Sequence, residues 1–136
     1  MTALTADSKR DSKSDGIVAL DVTASTTIYE GSLVIITAAG FAEAAAPAAN
    51  TIFAGVAIDG IKTGAGQTGT IRVQTKGQFI FASSGLGQDD VGSTVYAEDD
   101  NTINTGAGTN RQRVGKITKH ISATQAWVQI RPFDLT

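Results

Sequence analysis

Residues Thr70 to Ala82 read T-I-R-V-Q-T-K-G-Q-F-I-F-A, and the pattern of this stretch decides the fold class. Ile71, Val73 and Thr75 point one way while Arg72, Gln74 and Lys76 point the other, the two-residue period of a half-buried strand. Gly77 interrupts the alternation, as glycines do at bulges and bends. Beyond it Phe79 and Phe81 share one face with Ile80 opposite, which predicts a half that is buried more completely or on both sides. These residues are expected to form the floor of the core, with the rest of the chain laid against them as further strands.

Composition agrees. Leu, Ile, Val and Phe supply 32 of 136 residues, and 22 of those are β-branched Ile or Val. The apolar share lies above the roughly 20% below which chains stay disordered, and stiff branched side chains favour pleated surfaces over helices. A chain of 136 residues predicts one domain with a real core. The absence of cysteine removes disulfide frameworks and Cys-ligated zinc. A net charge of −2 with no basic run lacks the electrostatic footprint of a nucleic-acid binder. No apolar run approaches the roughly 20 residues of a membrane span, and the N-terminus has no signal-peptide core.

Along the chain, residues 1–15 form a separate zone. Asp7, Asp11 and Asp15 alternate with Lys9, Arg10 and Lys13 among serines, with no apolar side chain from Asp7 onward to offset ordering entropy. This predicts a flexible N-terminal arm ahead of a single β-rich domain over 16–136. Val18, Leu20 and Val22 alternate as a first strand; Thr26 to Tyr29 continue extended, and Leu33 to Ile36 form a short apolar run, the three reading as a hairpin or closely following strands. Phe41 to Asn50 is alanine-rich and predicts one helical turn, cut short by Pro47. Ile52, Ala54, Val56 and Ile58 read as one face of a strand whose Gly55 admits a neighbouring backbone or a Phe ring. Further strands are read at Thr94 to Ala97, Ile103, Val114 to Ile117 and Ala126 to Arg131. In the last of these Val128 and Ile130 face inward and Trp127, Gln129 and Arg131 outward. Phe53, Val56, Ile71, Val73, Phe79, Phe81, Val128 and Ile130 are the expected core. Short strands at this spacing predict an all-β small barrel or sandwich with at most one short helix.

The residues that bear chemistry form no catalytic pattern. Gly64 to Gly69 match G-x-G-x-x-G, but lead into a strand, so no helix N-terminus is there to receive a pyrophosphate. His120 is the only histidine, and no spacing offers it zinc partners or a nucleophile elbow. Glu98-Asp99-Asp100-Asn101 lacks the alternate spacing of a calcium loop and reads as a solvated turn. No catalytic residue, metal or cofactor is expected. Trp127, outward on the last strand, is a candidate interface residue or, if the strand is buried on both sides, part of the core.

The order of F-A-G-V-A-I (Phe53 to Ile58), G-T-I-R-V-Q-T-K-G-Q-F (Gly69 to Phe79), G-S-T-V-Y (Gly92 to Tyr96), V-G-K-I (Val114 to Ile117) and W-V-Q-I-R-P (Trp127 to Pro132) resembles the capsid cement, or head decoration, proteins of tailed bacteriophages. The likeness covers residues 31–132. It implies a β-tulip-like body, trimers at threefold and quasi-threefold positions of an expanded head, and the major capsid protein as partner. It also implies residence on the outer surface of the virion after synthesis in the host cytoplasm, a structural rather than enzymatic role, and no direct contact with nucleic acid or membrane. On this resemblance the arm docks on the shell, with Lys9, Arg10, Lys13 and Ile17 as contact residues. Two other classes stay open on the residues alone: a virion- or host-surface module that binds glycans through Trp127 and Tyr96, and a small β-barrel enzyme or ligand carrier.

Overall fold

A computed structural model describes Ala6 and residues 16–133; the expected contacts Lys9, Arg10 and Lys13 lie outside the described residues. The body is all-β, with curled sheets that form a half-barrel. Twelve strands run in order: β1 (Ile17–Val22), β2 (Thr27–Ile28), β3 (Leu33–Ile36), β4 (Ala42–Ala44), β5 (Ile52–Ala57), β6 (Ile61–Lys62), β7 (Gly69–Gln74), β8 (Gln78–Ala82), β9 (Thr94–Ala97), β10 (Ile103–Asn104), β11 (Arg113–Ser122) and β12 (Gln125–Ile130). The first sheet has the order β1-β7-β5-β3-β4, the second β10-β9-β11-β12-β8, and β2 pairs with β6 as a short ribbon.

The stretch that decides the fold class is therefore two strands in two sheets. Its first half, β7, behaves as the alternation predicts: Ile71 and Val73 are buried while Thr70 and Arg72 are exposed. Gly77, at φ +120°, is where the chain leaves one sheet for the other, a backbone conformation that glycine adopts without penalty. The second half, β8, is an edge strand with one wet face: Phe81 is buried, but Ile80 is 46% exposed. The expected two-sided burial fails because only β12 pairs with β8 and nothing layers over its outer side. Phe79 is half-buried against the core, its ring 6.1 Å from that of Phe81.

Two apolar clusters replace the single floor. Alternation along β3 divides them: Leu33 and Ile35 enter the cluster between the sheets, where they meet Phe53, Val95, Val114, Ile117, Val128 and Ile130. Val34 faces the other way, joining Val22, Ile28, Ala54, Ile71 and Val73 inside the curl of the first sheet. The edge strands β1 and β4 of that sheet approach one another, with β2 beside β4, so Ile28 helps to close the curl. Each fully buried Val, Leu, Ile or Phe contributes about 1.5–3 kcal/mol, which is why the long-range pairings persist. β1 pairs with β7, and β3 with β4 and β5; the expected hairpin among the first three strands does not form, because their apolar faces are satisfied by strands further along the chain.

A bulge in β5 overturns the expected face of Ile52, Ala54, Val56 and Ile58. Val34 pairs with Gly55 and Ile35 with Phe53, so Ala54 is left as the extra residue. The insertion shifts the alternation: Phe53 and Val56 both face the second sheet, and Ala54 and Ala57 both face the curl. Gly55 lies at φ +147°, and a Cβ there would collide with the carbonyl oxygen of Gln74, the close backbone approach that a strand glycine signals.

The expected helical turn over Phe41 to Asn50 is absent; β4 occupies Ala42–Ala44. Tertiary partners take the groups a helix would have used. Ala45 N donates to Leu33 O at 2.9 Å, Ala48 N to Asn110 O at 3.0 Å, and Gln112 Nε2 to Ala46 O at 2.8 Å. Among the described residues a single 3-10 turn stands instead, at Gln88–Asp90, where Asp90 accepts a hydrogen bond from Gly87 N at 2.9 Å.

Candidate functional site

The outer face of the second sheet gathers polar, basic and aromatic side chains that are far apart in sequence. On β12 the inward positions Ala126, Val128 and Ile130 are buried, as expected for the last two, so Gln125, Trp127 and Gln129 face outward. The antiparallel register with β8 and β11 sets two rows across this face. Gln78, Gln129 and Lys116 lie side by side in one, and Ile80, Trp127 and Lys119 in the next. A register shift between Ile117 and Lys119 makes Thr118 an extra outward residue, and its Oγ1 donates to Gln78 Oε1 at 2.8 Å. That bond orients the Gln78 amide and leaves its NH₂ as a donor for something else.

Two depressions join at Thr118. One of about 500 Å³ is lined by Gln78, Thr118, Lys119 and Trp127. The other, of about 430 Å³, is lined by Gly92, Lys116, Ile117, Thr118, Gln129 and Arg131. Strands β8, β11 and β12 contain no Asp or Glu, and Lys116, Lys119 and Arg131 are exposed. Of the carboxylates, Glu98 is 3.6 Å from Arg111 on the far edge, Asp59 pairs with Arg72 on the first sheet at 2.8 Å, and Asp89 and Asp90 stand in the 3-10 turn that packs on β11. In that pair the hydrogen bond from Arg72 holds the Asp59 carboxyl below its usual value, partial desolvation opposes this, and the guanidinium charge adds to it. The guanidinium is pushed up in return, first by the same hydrogen bond.

The other residues singled out in the sequence do not converge here. Tyr96 pairs with Arg113 and Trp127 with Lys119; at about 3.3 Å per residue the intervening length of β11 separates them by about 20 Å, so no single glycan subsite contains both aromatics. Ile17 is the first residue of β1, opposite Gln74, and is 54% exposed; it belongs to the folded sheet rather than to the arm. His120 Nε2 lies 3.3 Å from Leu86 O, a local tie. Asp99 Oδ1 accepts from Asn101 N and Thr102 N, each at 2.8 Å, which makes Glu98 to Asn101 the turn that its composition predicts. Gly64 to Thr68 form the loop into β7, which Gly69 begins, with Gly64 N bound to Gln67 Oε1 at 2.8 Å. Among the described residues no three His, Cys, Asp or Glu side chains cluster as a metal site, and no helix is long and apolar enough to cross a membrane.

No family model, curated protein or solved structure matches this chain. Lys116, Lys119, Thr118, Gln78 and Gln129 were not legible as a group from the sequence, since only the β8–β12–β11 register assembles them. The one signal in the sequence was the lack of any carboxylate between Val114 and Pro132.

Proposed function

We propose that this chain is a capsid decoration protein. It binds the outer surface of an expanded tailed-phage head as a trimer at threefold and quasi-threefold positions, and stabilises the shell against the packaged DNA. The observation that carries the reading is the order of β segments from Phe53 to Pro132, set in a small all-β body. The arm precedes β1, an edge strand of the first sheet, and a neighbouring chain segment can add to such an edge through main-chain hydrogen bonds without an apolar sequence. Shell stabilisation calls for no catalysis, cofactor, nucleic-acid contact or membrane. Modest energies per contact multiply when many copies bridge neighbouring subunits, and a closed ring satisfies the same patch on every protomer.

The test mixes purified protein with expanded and unexpanded tailed-phage heads freed of their own decoration. Cosedimentation with expanded heads in multiples of three copies, together with a higher temperature of head rupture, is the expected result. Failure to cosediment with either form sinks the proposal.

A further inference from the structure

We infer that the outer face of the second sheet binds an acidic polysaccharide, one sugar ring stacking on Trp127 while Lys116, Lys119 and Arg131 hold its carboxylate or sulfate groups. Two independent observations converge on this. The first is charge segregation. The chain as a whole is acidic, at net −2, yet β8, β11 and β12 carry no carboxylate. Lys116, Lys119 and Arg131 are exposed on that face and form no ion pair among the described residues. Three cations with no ion pair among the described residues, beside low-dielectric walls, attract and concentrate an anionic chain.

The second is the indole. Trp127 is half-buried between Ile80 and Lys119 on the neighbouring strands, and it lines a depression of about 500 Å³ together with Gln78, Thr118 and Lys119. An aromatic ring held on a rigid sheet offers an apolar platform with little entropy to lose. Around it stand the groups that read hydroxyls: the Gln78 amide, turned by its 2.8 Å bond from Thr118, and Gln129 in the adjacent row. Rows on one face of a strand repeat every two residues, about 7 Å, and strands lie about 5 Å apart, so the indole and the cations span the length of a short oligosaccharide.

Single-stranded nucleic acid fits less well, because such sites stack successive bases on several aromatics. Here one ring stands among the cations, and Tyr96, outward on β9 of the same sheet, is about 20 Å away. The site is separate from the proposed seating on a capsid, and either reading can fail without the other.

Trp127 is the chain's single tryptophan, so the emission of the intact protein reports this site directly. Polygalacturonate (carboxylate), dextran sulfate (sulfate), neutral dextran and oligothymidylate are titrated into the free protein, at low and at high salt. An emission change with at least one acidic polysaccharide, weakened by salt and absent with neutral dextran, is expected; which of the two is bound more tightly assigns the acid group. Lys116→Gln with Lys119→Gln weakens that binding about tenfold, each titration being read against the ligand-free emission of the same variant. Trp127→Phe and Trp127→Ala, checked for folding by their melting curves, are run through gels cast with the polysaccharide; Phe retains retardation and Ala loses it. No emission change with either acidic polymer, an equal change with neutral dextran, or tighter binding of oligothymidylate overturns the inference. So does retardation that survives Trp127→Ala, which would mark a plain polyelectrolyte surface.

Discussion

Replacing Gly55 by alanine tests whether the bulge in β5 holds the first sheet together. Two costs add. The backbone there sits at φ +147°, a region essentially reserved for glycine, and forcing a side-chain-bearing residue into it costs about 1–3 kcal/mol. The new methyl would also collide with the carbonyl oxygen of Gln74 and lie 3.3 Å from Val73 Cβ. Only backbone can yield, and the backbone concerned is the seam between β5 and β7, joined by the pairs Val56 with Gln74 and Ala57 with Val73 and extended by Ile58 N to Arg72 O at 2.9 Å. Losing one or two of these hydrogen bonds costs about 0.5–1.5 kcal/mol each. The total, about 2–5 kcal/mol, is a large share of a domain stability of about 5–15 kcal/mol. With a urea dependence of about 1–3 kcal/mol per molar, the unfolding midpoint should fall by about 1–2 M. Gly66→Ala is the control, since Gly66 lies at φ +73° and an added methyl would meet nothing within 4 Å; it carries the conformational cost alone, about 1–2 kcal/mol. Equal midpoints for the two variants would refute the collision as the cause, and with it the tight seam.

Phe81→Ala, at a side chain 5% exposed, should cost about 3–5 kcal/mol, whereas Phe79→Ala, at the half-buried neighbour, should cost about 1–3; chemical denaturation of both checks the order, and near-unchanged stability in both would mean that β8 is turned over. Gln112→Ala removes the donor to Ala46 O at 2.8 Å and Thr51 Oγ1 at 2.7 Å at a site 3% exposed. The unsatisfied groups and lost volume should lower stability by about 2–4 kcal/mol, measured by urea unfolding, and a change below about 1 kcal/mol, within the ordinary scatter of surface substitutions, would contradict the pinning of the 41–50 segment. For Asp59, whose carboxyl is held below its usual value by Arg72, the pair's contribution is complete above the ordinary aspartate range near pH 4 and disappears as pH falls through the lowered folded value. Asp59→Asn should therefore melt below the parent at pH 7 and at the same temperature in strong acid, and added salt should narrow the gap at pH 7; a gap that persists in acid would place the effect elsewhere.

Alternation was enough to read β1, β7 and β12, because each has a side-chain period of two that survives in the fold, and β3 was legible as a continuous apolar run. It failed where a single residue breaks that period. Ala54 in β5 and Thr118 in β11 are insertions into the ladders, and an alternating pattern carries no mark of where the extra residue falls. Phe41 to Asn50 misled for another reason: alanine's helix preference amounts to a few tenths of a kcal/mol per residue, less than the hydrogen bonds to Leu33, Asn110 and Gln112 together provide. The basic face was hidden because Gln78, Lys116 and Trp127 become neighbours only through pairing between distant segments.

The pairing of β1 with β7, from Val22 opposite Gly69 to Ile17 opposite Gln74, also orders events during synthesis. The first strand leaves the ribosome with no partner and must wait until residues 23–68 have followed it and Gly69 to Gln74 are clear of the exit tunnel. Until then its apolar side, Val18, Leu20 and Val22, stays open to any unpaired edge nearby. Crowded polysomes, rather than the finished protein, are where this chain is most exposed to wrong partners.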